Sequence, residues 1–235
     1  MVPACLEELA LMYRVLFIII RGIERKRIFR DDLDRNNLLE RLGHIFVESK
    51  TSCYAWALLS NHVHLLIRTG EVPLATVMRR LLTGYAVTYN HRHQRHGQLF
   101  QNRYKSILCQ EDSYLLELVR YIHLNPVRAK IVSDLNRLER YEYSGHSVIL
   151  GFQKKPWQDI EYILGHFDRK VRAARKKYTD FVQEGVGRGR RPELVGGGLI
   201  RSLGGWRAAK ALKEGSLRLK GDERILGDSD FVMEP

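Results

Sequence analysis

The order of strand-like and helix-like segments in the first half of the chain is the feature that most constrains its fold. Residues 13–20 form a β-branched apolar run that ends at Arg21, a pattern typical of a buried central strand. Asp31, Asp32 and Asp34 follow as a helix-start signal, and the apolar residues after them recur at helical spacing. The chain therefore starts with a predicted strand and a predicted amphipathic helix.

The segments that follow complete a known order. Residues 52–59 and 62–68 predict two strands joined by a tight turn, residues 74–89 a second amphipathic helix, and residues 104–109 a short strand. The order β-α-β-β-α-β predicts an α+β, ferredoxin-like antiparallel sheet with the helices on one face. In that arrangement the first and third strands lie side by side at the centre.

A further helix is predicted from Glu111 through Tyr121. It should end at Asn125, because a proline pushes the residue before it out of helical geometry. Beyond about residue 150 the chain changes to Lys- and Arg-rich helical segments with glycine-rich punctuation. We therefore predict a principal domain over residues 1–150 and a smaller, basic, mainly helical region over residues 151–235, whose last residues leave a truncated C terminus open.

The formal net charge of +12 favours an anionic partner, of which a nucleic-acid backbone is the commonest and a membrane surface the rival. The apolar run at residues 9–20 is interrupted by Arg14 and is shorter than the ~20 residues that span a bilayer, so no membrane segment or signal peptide is expected. Cys5, Cys53 and Cys109 lack the spacing of a zinc site. We expect a cytoplasmic, nucleoid-associated protein.

Two histidines fall on the predicted third strand. Alternate strand residues point to the same face, so His62 and His64 lie side by side while Val63 turns away. Two neutral imidazoles in this position can bind one divalent ion. The simpler alternative is a pair of polar residues on the solvent face of a hairpin.

The helix that carries Tyr121 offers matching groups, because Glu117, Tyr121 and Asn125 are spaced four apart and share a face. If this face packs over the His62/His64 strand, Asn125 becomes a third metal ligand and Tyr121 stands above a bound phosphate. A metal-assisted phenol can attack a phosphodiester and keep it as a transferable link, and a hard oxygen substrate favours Mg²⁺ or Mn²⁺. The alternative is that Tyr121 packs in the core.

A basic and aromatic groove is predicted around this site. The candidates for DNA binding are Arg79, Arg80, Arg92, Arg95, Arg103 and Lys105. The aromatic side chains able to stack on unpaired bases are Tyr85, Tyr89, Phe100 and Tyr104. Tyr85 and Tyr89 are one helical turn apart and fit a buried core equally well.

Three ordered motifs resemble the single-tyrosine HUH transposases, with the REP-associated tyrosine transposases as the closest branch. They are Asn-His-Val-His-Leu-Leu at residues 61–66, Gly-Gln-Leu-Phe-Gln-Asn-Arg-Tyr-Lys at residues 97–105, and Tyr-Ile-His-Leu-Asn-Pro-Val-Arg-Ala at residues 121–129. The resemblance spans about residues 13–132. It implies a catalytic domain within residues 1–150 that binds single-stranded, hairpin-forming DNA, with no small-molecule substrate, as a monomer or homodimer.

The resemblance also implies DNA transposition through a covalent 5′-phosphotyrosine, with release of a 3′-hydroxyl and later rejoining of strands. By position, His62 and His64 match the metal-binding pair, Tyr121 matches the nucleophile, and Asn125 matches the residue that completes the metal site. Mg²⁺ or Mn²⁺ is the expected cofactor.

Other functions stay open at this stage. A catalytically inactive descendant could still bind hairpin DNA as a regulator. An RNA recognition motif has the same element order, but the predicted third strand lacks the aromatic residues on which that module stacks bases. A nucleotide-binding enzyme is disfavoured, because no Gly-Lys-Ser/Thr follows any of the glycine clusters.

Overall fold

The protein was analysed as a computed structural model that describes residues 14–189, 191, 194 and 225–226. The strands of this part form one sheet: β1 (Val15–Arg21), β2 (Ser52–Leu59), β3 (His62–Arg68), β4 (Lys105–Cys109) and β5 (Ile225–Leu226). Their order in the sheet is β2-β3-β1-β4-β5. The pairs β2/β3, β3/β1 and β1/β4 are antiparallel, and β5 is parallel to β4. The predicted α+β fold, with the first and third strands adjacent at the centre, is confirmed.

Seven α-helices accompany the sheet in the described part of the chain. They are α1 (Asp32–Glu48), α2 (Leu74–Arg92), α3 (Glu111–Arg128), α4 (Leu135–Glu139), α5 (Gly145–Leu150), α6 (Ile160–Gly165) and α7 (Val171–Glu184). Single 3-10 turns lie at Ile23–Arg25 and Val186–Arg188. As predicted, the crossover helices α1 and α2 share one face of the sheet. The helices from α3 onward supply a second layer on the opposite face.

Alternation along the central strands separates two apolar cores. Leu16, Ile18 and Ile20 of β1 belong to the core under α1 and α2. Phe17 and Ile19 belong to the other core, which α3 and the later helices cover. Because successive strand side chains point to opposite faces, each residue of β1 and β3 is assigned to one layer by its position alone.

The helix ends differ from expectation at two places. α2 continues through His91 and Arg92, beyond its predicted end at residue 89, and its last turn is basic, as the negative end of a helix dipole favours. α3 continues past Pro126 to Arg128, whereas the proline was predicted to end it. A proline this close to a helix end removes only one backbone bond, and the backbone N–H of Ala129 still bonds the carbonyl of Asn125 at 2.8 Å.

The C-terminal helices hold α3 in place through a buried polar network. The hydroxyl of Tyr178 in α7 lies 2.7 Å from Nδ1 of His123 in α3 and 2.7 Å from Nδ1 of His146 in α5. The hydroxyl donates to one imidazole and accepts from the other, so all three elements are joined at one oxygen. A Cβ on Gly145 would meet His123 Nε2 at 3.0 Å, so a glycine is needed for this close approach.

Several expectations lie outside the described residues, among them those for Tyr13, Cys5 and the glycine clusters at residues 196–198 and 204–205. The division at residue 150 stays a prediction. Cys53 and Cys109 are buried. Within the described ranges, no helix has the length and apolar character needed to cross a membrane.

Candidate active site

The two histidines of β3 point into the layer beneath α3. Residue parity places His62 and His64 on the same face as Leu66, which is part of the core that α3 covers. Their ring centroids are 4.8 Å apart and their planes nearly perpendicular. His64 is buried at 2% exposure and His62 is half-buried. The alternative of two polar residues on a solvent face is therefore excluded.

Both imidazoles are held in the neutral form. Burial, followed by the charge of Arg21, lowers the pKa of His62 to about 4. Burial, His62 and Arg21 lower the pKa of His64 well below its usual value. A neutral imidazole has a lone pair on one ring nitrogen, which is the form that binds a metal ion.

Asn61 fixes the tautomer of His62. Its Oδ1 lies 2.6 Å from His62 Nδ1, and a carbonyl oxygen can only accept, so Nδ1 carries the proton. The lone pair of His62 is therefore on Nε2. The amide nitrogen of Asn61 donates to the carbonyl of Arg25 at 2.9 Å, which holds the side chain in this orientation.

Tyr121 lies directly against this pair. Its ring is edge-on to His64, with centroids 5.9 Å apart, and also edge-on to Phe17 at 6.0 Å. Tyr121 is half-buried rather than enclosed in the core. The helix that carries Tyr121 therefore packs over the strand that carries His62 and His64, which is the condition stated in the sequence analysis for the two to form one site.

Three cations surround the histidines and the tyrosine. Arg21 is the cross-strand partner of His62, and Lys105 pairs with Ile19, which in turn pairs with His64. By parity, Arg21 and Lys105 share the histidine face, and both line a cavity of about 310 Å³. The guanidinium carbon of Arg128 lies 5.4 Å from the centre of the Tyr121 ring. The site can therefore receive an anion.

Asn125 and Glu117 lie on the same face of α3 as Tyr121. Asn125 is buried one turn beyond Tyr121, and its amide nitrogen donates to the Tyr121 carbonyl at 3.1 Å, so its Oδ1 is the side-chain atom with lone pairs to offer. Glu117 instead forms ion pairs with Arg120, Arg188 and Arg191. Although partial burial opposes it, Arg120 and the other two arginines lower the pKa of Glu117. Glu117 thus belongs to the contacts that hold α3.

The residues present fit a divalent ion at the histidine pair. The buried Nδ1 of His64 has no hydrogen-bond partner in the described part, and His62 offers the lone pair of Nε2. Two imidazoles that share one ion through nitrogens at about 2 Å each have centroids roughly 5 Å apart, close to the observed spacing. No group of three His, Cys, Asp or Glu side chains suited to a metal occurs among the described residues.

The six basic DNA-binding candidates do not share one location. Arg79, Arg80 and Arg92 belong to α2, on the sheet face away from the histidines, and Arg95 follows in the next loop. Arg80 pairs with Glu48, and Arg92 is held by Asp31 and Asp34. Arg103 is exposed before β4, and only Lys105 lies on the histidine face by position. Tyr85 and Tyr89 are buried core residues, whereas Phe100 and Tyr104 are half-buried.

Sequence reasoning missed three residues of the site. Arg21 was read only as the end of a strand, although its even spacing from Phe17 and Ile19 puts it on their face. Asn61 and Arg128 stand inside the motifs quoted above, and Arg128 follows Tyr121 by seven residues, which is two helical turns. Their partners could not be read from the sequence, because each contact depends on how separate elements pack.

Comparison with known proteins gives a family match for the first half of the chain. A family model described as "Transposase IS200 like" matches residues 10–125, a stretch that contains β1 to β4 and reaches Asn125 in α3. The chain belongs to the IS200-like transposase family through this segment, which confirms the predicted family. One similar solved structure is described as "Structure of the REP associates tyrosine transposase bound to a REP hairpin", with 15% identity, 62% of this chain and 86% of that chain covered, and a TM-score of 0.48. No curated protein sequence matches the chain.

The four buried imidazoles make a testable contribution to stability. Burial lowers the pKa of His62 and His146 to about 4 and that of His64 and His123 well below its usual value, whereas an unfolded chain has histidines near ~6.5. The unfolded state therefore binds more protons below pH ~6.5. The free energy of unfolding should be constant above that pH and fall towards pH 4, by up to about 1.4 kcal/mol per pH unit for each histidine.

Urea unfolding between pH 4.5 and 7.5, in EDTA, measures this slope. His146→Gln should flatten it, and the control His96→Gln, at an exposed position, should leave it unchanged. If both variants and the parent chain have the same slope, the claim that His146 is buried in its neutral form is wrong.

Proposed function

We propose that this transposase-family chain nicks and rejoins single-stranded, hairpin-forming DNA with Tyr121 as the nucleophile and a divalent ion at His62, His64 and Asn125. The observation that carries the proposal is the contact between Tyr121 and His64, which places a phenol beside a neutral histidine pair on a cationic sheet face. The preference for hairpin DNA rests on the sequence motifs at residues 61–66, 97–105 and 121–129.

In this proposal the side chains have separate tasks. Arg21 and Lys105 attract the phosphate of the strand to the histidine face, and Arg128 stands against the ring of Tyr121. The Tyr121 oxygen attacks phosphorus, its proton passes to solvent, and the bond from phosphorus to the 3′ oxygen breaks. The departing oxygen gains a proton and becomes a 3′-hydroxyl, while the 5′ side stays linked to Tyr121.

Rejoining reverses these steps. A 3′-hydroxyl attacks the phosphotyrosine, the bond to the Tyr121 oxygen breaks, and the phenol regains a proton. No external energy source is needed, because one phosphodiester replaces another. When bound, Mg²⁺ or Mn²⁺ supplies Lewis-acid polarisation of the scissile phosphate and stabilises the charge that develops there. His62, His64 and the Oδ1 of Asn125 are the groups that would hold it.

Covalent capture tests the nucleophile. The full chain is incubated with 5′- and 3′-labelled hairpin oligonucleotides from the DNA that flanks its own gene, with Mn²⁺ or EDTA, and resolved on a denaturing gel. A metal-dependent adduct is expected from the chain, and Tyr121→Phe should reduce it by about 1000-fold or more, because the attacking oxygen is gone. Tyr114→Phe, half-buried on the same helix, is the matched control and should keep full activity.

Binding of the same oligonucleotides is measured in parallel by fluorescence anisotropy. Tyr121→Phe should bind as tightly as the parent chain. Tight binding without any adduct from the parent chain would reject the enzyme and favour a hairpin-binding regulator. An adduct that persists in Tyr121→Phe would reject Tyr121 as the nucleophile.

Asn61 provides a second prediction. Asn61→Ala removes the acceptor that keeps the proton on His62 Nδ1, so Mn²⁺ affinity should fall by about 10-fold to 100-fold, as is typical when a partner of a ligating histidine is lost. Asn61→Asp keeps an acceptor at that position and should restore most of the affinity. Isothermal titration of the DNA-free chain with Mn²⁺ makes the comparison, with Asn136→Ala, exposed on α4, as the control. Equal affinities in Asn61→Ala and the parent chain would contradict the role of Asn61.

A further inference from the structure

A second basic site lies at the end of the sheet where β1 ends and β3 begins. It is a pocket of about 470 Å³ lined by Ile23, Lys26, Arg27, Arg30, Tyr89, Arg95 and Leu99. Four of these seven residues are cationic, and no acidic residue is among the described residues that line it. Like charges gathered in one pocket repel one another, so the arrangement is stabilised when an anion enters.

The cations are held in position by the protein. The guanidinium of Arg95 donates to Asn90 Oδ1 at 3.0 Å, and its carbon lies 5.9 Å from the centre of the Tyr89 ring. The guanidinium carbon of Arg30 lies 6.0 Å from the same ring. Arg27 and Arg30 are exposed, and Lys26 forms only an exposed ion pair with Glu24, which contributes little and is easily exchanged for a ligand.

Apart from Glu24, which pairs with Lys26, the acidic residues next to the pocket in sequence bind residues outside it. Asp31 and Asp34 both bind Arg92, and Asp34 also binds His93. The bond to Arg92 lowers the pKa of Asp31 to about 2, so this carboxylate stays charged and paired at neutral pH. Asp31 and Asp34 therefore do not neutralise the pocket, and Lys26 is the pocket cation paired with an acidic residue, Glu24.

The pocket is joined to the candidate active site by backbone and side-chain bonds. Gly22 donates to the carbonyl of Asn61 at 2.9 Å, and Ile28 donates to the carbonyl of Ser60 at 3.0 Å. Asn61 bonds to the Arg25 carbonyl with its nitrogen and to His62 with its oxygen. Glu24 and Arg25 have φ values of 52° and 57°, in the left-handed region that costs energy in residues other than glycine. The surrounding contacts therefore hold the loop in one conformation next to His62.

We infer that this pocket binds backbone phosphates of the DNA strand next to the phosphodiester that Tyr121 attacks. The inference rests on the proposed function and extends the path of the strand. The DNA would pass from Arg21 and Lys105 on the α3 face, around the end of the sheet beside Asn61, to Arg27 and Arg30. Guanidinium groups suit this task, because they present several donors to phosphate oxygens at once.

The test compares two double variants with the same loss of charge. Arg27→Gln/Arg30→Gln changes the pocket, and Arg169→Gln/Arg172→Gln changes exposed arginines at the start of α7, on the opposite side of the sheet. Hairpin binding is measured by anisotropy at several salt concentrations. The pocket variant should bind about tenfold more weakly, and the slope of log K against log[salt] should become shallower by about 1.4–1.8, since each lost phosphate contact removes ~0.7–0.9.

Arg27→Lys/Arg30→Lys keeps the charge and should recover most of the slope, which separates charge from a folding defect. If the two Gln variants give equal slopes while the parent chain binds DNA and forms the adduct normally, the pocket does not bind DNA. The proposed function would be unaffected by that result. Failure of the parent chain to bind or form the adduct would instead overturn the proposed function. Inorganic phosphate is titrated as a second probe. Saturable, sub-millimolar phosphate binding that is lost in the pocket variant would reject DNA phosphates as the ligand of the pocket and favour a small anion.

Discussion

The register between β1 and β3 is the constraint on which the rest of the site depends. Ile19 lies opposite His64 and Arg21 opposite His62 along this central antiparallel pair. A shift of one residue would turn both histidines towards α1 and α2 and would put Val63 beneath Tyr121. The register is fixed because both faces of the sheet are buried in separate apolar cores, so any slip would misplace every side chain of the two strands.

The second requirement is a fixed position for α3, since the sheet alone does not determine where Tyr121 stands. α7 supplies it through contacts along the length of α3: Tyr178 bonds to His123, the Phe181 carbonyl to Arg120, and the Gly185 carbonyl to Arg128. These contacts come from beyond residue 125, where the matched family segment ends. The C-terminal helices therefore complete a site whose candidate chemical groups all lie within or close to the family segment.

The sequence predicted the elements that have strong local signals. Strand alternation and the tight turn gave β2 and β3 with their observed bounds, and the helical spacing of Tyr121 and Asn125 gave their shared helix. The end of α3 was predicted wrongly from Pro126, because a proline in the last turn removes only one backbone bond and the helix continues to Arg128. The location of the basic residues was not predictable in the same way. Arg92 and Lys105 come from the same basic stretch of sequence but lie on different faces of the sheet, because tertiary packing decides the face on which each residue lies.

The most direct test of this account is the position of a bound metal ion. Crystals of the chain grown with Mn²⁺ and measured at the manganese absorption edge would show the ion by its anomalous scattering, independently of any reaction. The account predicts one strong peak in contact with both His62 and His64, on the face covered by α3 and next to Tyr121. Manganese bound only elsewhere, with the two imidazoles in contact with each other or with protein groups alone, would contradict it.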